Sequence, residues 1–181
     1  MTADSFYADG MTITSTDIRL ATAADAADIT RVHDLAWRNA YRGIIPGLAL
    51  EKMISRRGEQ WWERNIRRGG AVFVLEVCGV VAGYVSVGRS RMKRLSYSGE
   101  IFELYVHPDY QGLGFGKKLL EAGKAILRRN NLNEIAVRVL SDNERAGAFY
   151  GSCGGRLVAR SHETVDQSKL GVSVYAWMAD Q

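Results

Sequence analysis

The sequence predicts a single mixed α/β (α+β) domain, with a mostly antiparallel sheet of about seven strands flanked by about four helices. Three observations lead there. The chain has 181 residues, the size of one domain at roughly 100–200 residues each. Short β-branched runs alternate with stretches of helical period. A strand, a glycine-rich loop, a helix and a further strand follow one another between Glu100 and Leu140, and such a crossover requires at least one parallel pair.

The elements follow in order. Residues 1–16 are small and polar without apolar period, which marks a leader, and the domain is expected over 17–181. Ile18 to Leu20 starts the first strand, and Thr22 to Asp25 has the spacing of a capping box that satisfies free helical N–H groups. The first helix then runs to about Ala40, with Ile29, Val32, Ala36 and Ala40 on one face. After Pro46-Gly47, one helical region extends from Leu50 to about Arg67. Residues 71–77 and 80–88 form two strands joined at Cys78-Gly79, a hairpin signature. The basic loop Arg89 to Gly99 leads into the fourth strand, Glu100 to Val106, which stops before Pro108 because proline cannot continue a ladder. A helix from Lys117 to Asn130, a strand from Glu134 to Leu140, a helix from Asn143 to Ser152 and two closing strands, RLVAR and GVSVYAWM, complete the chain.

Composition narrows the function. Hydrophobic residues make up 46% and charged residues 24%, an ordinary globular balance. A net charge of +4 falls short of the basic footprint of a dedicated nucleic-acid binder. The apolar run Val174 to Ala179 is far below the about 18 residues of a membrane span. The first twenty residues lack the basic start and apolar core of a secretory signal, so a cytoplasmic location is expected. Cys78 and Cys153 read as free thiols, and His33, His107 and His162 stand singly, outside any metal-ligand spacing. No metal is expected.

Chemistry concentrates in Gln111-Gly112-Leu113-Gly114-Phe115-Gly116, between a strand and a helix. Glycine permits positive φ and close approach of a ligand, and the free N–H groups of a helix start attract an anion, most naturally phosphate. A dinucleotide GxGxxG starting at Gly112 would need glycine where Lys117 stands. A P-loop would need glycine at Gln111 and Ser or Thr at Lys118. The pattern that fits at every fixed position is [QR]-x-x-G-x-[GA], and ELYVHPDYQGLGFGKKLL together with NERAGAFYGSCGG resembles the GNAT N-acetyltransferase family across about residues 17–179.

That resemblance implies a splayed central parallel pair of strands and acetyl-CoA as co-substrate. Backbone N–H groups of Leu113, Gly114, Gly116 and Lys117 would bind its pyrophosphate, with Gly112 and Phe115 in the same loop and Gln111 fixing it. Leu104, Tyr105 and Val106 would take the pantetheine arm and thioester carbonyl. Asn143 would bind the pantetheine, and Tyr150, seven residues on and thus on the same helix face, would protonate the departing thiolate. The plain alternatives are a structural turn for the loop, an N-cap for Asn143 and packing for Tyr150.

For the acceptor amine a base or water relay is required. Glu103 is the first candidate, as base or amine-binding carboxylate, because strand alternation places it with Ile101 and Tyr105. Its alternative is a buried salt bridge, for instance to an arginine of the basic loop. Glu100, at the strand entrance, reads as a solvated charge, and His33 as a rim residue. Trp37 and Tyr41 are candidates for an acceptor pocket, or else core packing. The expected activity is direct acetyl transfer to a primary amine, of a small molecule in preference to a protein. A non-catalytic acyl-CoA sensor is the competing reading. Family membership also implies a homodimer, for which the sequence identifies no interface.

Overall fold

The computed structural model describes residues 6–8, 11–13 and 15–178, with side chains from Ser15 onward. Seven strands form one sheet: β1 (Thr16–Leu20), β2 (Val72–Val77), β3 (Val80–Arg89), β4 (Gly99–Val106), β5 (Ile135–Leu140), β6 (Arg156–Val165) and β7 (Ser168–Trp177). Their order is β1-β2-β3-β4-β5-β7-β6, antiparallel at every step except β4–β5. Five α-helices accompany them: α1 (Ala26–Tyr41), α2 (Gly47–Ser55), α3 (Glu59–Arg67), α4 (Phe115–Arg129) and α5 (Glu144–Ser152). Within the expected leader, Phe6–Ala8 and Met11–Ile13 pair as a short antiparallel hairpin outside the main sheet.

The extra helix comes from the region expected as one element between Leu50 and Arg67. Its chain turns at residues 56–58, where the Arg57 N–H closes onto the Ile54 carbonyl at 2.9 Å and Gly58 adopts an extended conformation as the N-cap of α3. Glycine in a helix interior costs about 1 kcal/mol relative to alanine, so the break falls where continuation is weakest.

Elsewhere, local chemistry sets the elements as expected. Asp25 accepts the Thr22 N–H at 2.7 Å and binds Arg19 through both carboxylate oxygens, locking the start of α1 to β1. Cys78 and Gly79 both take positive φ, 50° and 79°, as a tight hairpin turn requires. The closing hairpin is longer than the sequence predicts, with ten residues in each strand. The exposed His162 and half-buried Glu163 hide the strand period there.

The sheet is packed on both faces. On one, Leu119, Leu120 and Leu127 of α4 and Tyr150 of α5 meet Val85, Ile101, Ile135 and Val137. Gly123 lets α4 approach closely, since a Cβ there would lie 3.2 Å from Val85 Cγ2. On the other, Ile29 and Val32 of α1 and Trp62 of α3 cover Val74, Val81 and Tyr84. Beyond α1, Ile45, Leu50 and Ile54 pack on Leu170 of β7. The basic loop is partly an apolar cover, as Met92, Leu95 and Tyr97 lie against Ala136, Val174 and Ala176.

Candidate active site

The site begins where two parallel strands part. β4 and β5 are in register only from Gly99↔Ile135 to Ile101↔Val137, although both strands continue. Phe102 sits at the divergence as the extra residue of a bulge, since Ile101 faces Val87 of β3 while Glu103 faces the adjacent Ser86. A bulge bends its strand and re-aims the side chains beyond it. This corrects the simple alternation read from the sequence: Ile101 packs with Val106 and Leu104 in the α4 layer, whereas Tyr105 packs toward α1 and α3 and Glu103 joins Tyr84 of that layer.

The parted edge of β4 carries free hydrogen-bonding groups. The His107 N–H donates to Ala82 of β3 at 2.8 Å. Successive residues of a strand point to opposite edges, so the N–H groups of Leu104 and Val106 face the opening. Gln111 reaches the same edge, its Nε2 donating to the Val106 carbonyl at 2.9 Å, while its Oε1 accepts Asn39 Nδ2 of α1 at 3.5 Å.

Two of the three glycines of the loop are required by their backbone conformation. Gly112 and Gly114 take φ of 81° and 82°, and Gly114 is the N-cap of α4, so the helix start opens toward the cleft. Gly116 lies against α5, where an added Cβ would meet the ring of Phe149 at an ordinary van der Waals distance of 3.4 Å, so neither φ nor packing requires glycine there. Leu113 lines a neighbouring groove with Ile18 and Leu75, and the Phe115 side chain is core, so these two can serve a ligand in the cleft only through their backbone. His107 is structural, its Nδ1 accepting the Asp109 N–H at 3.2 Å.

A cleft of about 630 Å³ runs from this loop through the opening between β4 and β5. Leu104, Tyr105, Val106, Gln111, Gly112, Gly114, Gly116 and Lys117 line one part of it, and Asn143, Tyr150 and Cys153 another. Asn143 caps α5, its Oδ1 accepting the Ala146 N–H at 3.1 Å. Tyr150 is 6% exposed, and no described residue hydrogen-bonds its hydroxyl. Burial raises the phenol well above its ordinary value, so it carries its proton at neutral pH.

At the α1 end the cleft is lined by Ala36, Ala40 and Ile44, with Trp37 and Tyr41 just behind. The Tyr41 hydroxyl meets that of Tyr105 at 2.7 Å, and Trp37 stacks on His33 with ring centroids 4.8 Å apart. Trp37 and Tyr41 therefore support the wall through Tyr105 and do not form its surface. His33 is fully buried, not at the rim; burial, with the Arg57 and Arg38 charges, lowers its pKa to about 3.

Glu103 lies outside the lining of the cleft, two residues from Tyr105 on β4, and is 9% exposed. Its Oε1 accepts Arg57 Nη1, and its Oε2 accepts the Tyr84 hydroxyl at 3.0 Å. The salt-bridge partner thus comes from the α2–α3 turn and not from the basic loop. Burial pushes the Glu103 carboxyl up, opposed by the Arg57 charge and the two hydrogen bonds. Glu100 is also buried, at 4% exposed, accepting the Arg91 N–H at 2.7 Å, which corrects its reading as a solvated charge. Arg91 in turn lies over the Phe102 ring at 3.7 Å. Arg57 and Tyr84 were invisible as site residues in the sequence, because nothing local pairs them with an acid 46 and 19 positions away. Among the described residues, no group of three or more His, Cys, Asp or Glu side chains could hold a metal ion.

Similarity to known proteins assigns the class, an acyltransferase. Residues 29–154 match the Acetyltransferase (GNAT) family. The chain is 32% identical over 127 residues to the uncharacterized N-acetyltransferase YuaI of Bacillus subtilis, covering 70% of this chain and 72% of that protein. It is 29% identical over 169 residues to the L-methionine sulfoximine/L-methionine sulfone acetyltransferase of Salmonella typhimurium, covering 89% and 88%. The structure of yncA, a putative acetyltransferase from Salmonella typhimurium with its cofactor acetyl-CoA, superimposes with a TM-score of 0.67 and 25% identity over 92% of this chain and 95% of that one. The chain belongs to the GNAT acetyltransferase family and is an N-acetyltransferase.

Proposed function

We propose that the enzyme transfers an acetyl group from acetyl-CoA to the primary amine of a small molecule, by direct attack with both substrates bound. The observation that carries this reading is the cleft itself. A glycine-rich helix start opens one end, the free edge of β4 forms one wall, and Tyr150, whose hydroxyl no described residue hydrogen-bonds, is among the lining residues. The fit to acetyl-CoA is physical: Gly112 and Gly114 leave the space their Cβ atoms would fill, and the helix N-terminus favours the pyrophosphate charge.

In this reading, the Leu104 and Val106 N–H groups hold the pantetheine arm and polarise the thioester carbonyl, an oxyanion-type site. Asn143, while capping α5, has its amide N–H groups left to bind the arm. Glu103 receives, through water, the proton that the acceptor ammonium must lose. The amine nitrogen bonds the acetyl carbon and loses its second proton through the same water to solvent, the carbon–sulfur bond breaks, and Tyr150 gives its phenolic proton to the thiolate before recovering one from solvent. The acceptor end, bounded by Tyr105, Ala40 and Ile44, suits a small apolar or amino-acid-like amine, in keeping with the amino-acid derivatives named for the Salmonella relative.

A thiol-release assay with acetyl-CoA tests it, using L-methionine sulfone, other L-amino acids, polyamines and lysine peptides as separate acceptors. Release dependent on a free amino acid or amine is expected. Release with peptides alone would make the enzyme a protein acetyltransferase, and binding of acetyl-CoA without release for any acceptor would make it a sensor.

A further inference from the structure

We propose that Arg57 is a positioning residue for the acetyl transfer: by its ion pair it orients the Glu103 carboxylate and holds it in the ionised form. The inference rests on the reading of Glu103 as base and assigns what makes that base available.

The geometry is a clamp built by three elements. Arg57 lies in the short break between α2 and α3, and its guanidinium stands over the Trp61 ring at 4.5 Å. From there Nη1 bonds one carboxylate oxygen of Glu103, while the Tyr84 hydroxyl of β3 bonds the other at 3.0 Å. Both oxygens are thereby fixed on the sheet face that carries Tyr105. A carboxylate that is 9% exposed loses most of its hydration, and its charge persists only with a compensating partner.

The surrounding groups leave that duty to Arg57. On α1, His33 is neutral and Tyr41 is an un-ionised phenol bonded to Tyr105. Tyr84 supplies a hydrogen bond but no charge. Arg91 of the basic loop is engaged with Phe102 and Glu100 and reaches Glu103 only through space. Arg57 is thus the one cation among the described residues that hydrogen-bonds this carboxylate. Its charge also disfavours protonation of His33, so one guanidinium biases two buried groups: Glu103 toward its anion and His33 toward its neutral form.

The test reads the carboxyl directly. Full-length protein labelled with 13C at the glutamate side-chain carboxyl is titrated by NMR, with Glu103→Gln assigning the Glu103 signal. Arg57→Met is expected to raise the Glu103 midpoint by roughly 1–3 pH units, the range an adjacent guanidinium commands, and Arg57→Lys to restore most of it. The acid limb of acceptor-dependent thiol release should move with it. Acetyl-CoA titration of each variant reports whether it is folded, and Arg57→Gln substitutes where Arg57→Met is not. An unchanged midpoint in folded Arg57→Met or Arg57→Gln overturns the inference while leaving Glu103 as base. Undiminished thiol release in Glu103→Gln overturns both.

Discussion

The side-chain amide of Gln111 donates to the backbone carbonyl of Val106 at 2.9 Å, tying the glycine loop to the last residue of β4. The bond satisfies a carbonyl on the parted edge and sets the distance between the loop and the strand wall. Gln111→Ala removes one such bond, worth about 0.5–1.5 kcal/mol, so acetyl-CoA affinity should fall by roughly 3–10-fold with the melting profile little changed. Calorimetric titration checks this, and unchanged affinity would mean that the loop holds its shape without the tie.

Gly114 makes a sharper prediction. Its φ of 82° is a conformation that a β-branched residue resists, and its missing side chain leaves the cradle open. Gly114→Val should abolish detectable acetyl-CoA binding. Wild-type affinity in a folded Gly114→Val protein would remove the loop from the binding site.

Tyr150 separates binding from chemistry. Its ring packs against Phe149 and Trp177, and phenylalanine keeps that packing while deleting the unpartnered hydroxyl. Tyr150→Phe should therefore lower kcat by roughly 10²–10⁴-fold with acetyl-CoA affinity near wild type. Full turnover in that variant would assign the proton to another donor.

Two buried groups give stability a pH dependence in separate windows. His33 titrates at about 3 in the folded chain against an ordinary 6.5, so the unfolded chain binds its proton first. Its contribution is complete above about pH 6.5 and declines as pH falls toward 3. Asp25, held at about 2 against 3.8 chiefly by its hydrogen bond to Arg19, contributes fully above about pH 4 and is lost as pH falls through 2. Urea unfolding from pH 7 to 4 should show a decline that His33→Phe flattens and Asp25→Asn leaves in place. Identical slopes in wild type and His33→Phe would show that the imidazole is not buried neutral.

Much of this was legible in the sequence because its causes are local. The Cys78-Gly79 turn, the glycine loop between strand and helix, and the seven-residue spacing of Asn143 and Tyr150 each depend on neighbours along the chain. The splay of β4 and β5 followed from resemblance, and its physical companion, the bulge at Phe102, did not show in EIFELYV because an extra residue is defined only by the partner strand. Long-range pairing was hidden for the same reason. The basic loop looked like the natural counter-charge for Glu103, yet Arg91 is spent on Glu100 and Phe102. The partner of Glu103 comes instead from Arg57, at a helix break that a periodic, Trp-containing stretch concealed.

The most direct test of the central claim is calorimetric titration of the cofactor-free protein with acetyl-CoA. Saturable binding in the micromolar range, lost in Gly114→Val, is the predicted result. Absence of binding to the folded wild-type protein would contradict the assignment of the cleft between β4 and β5, and with it the proposed transfer.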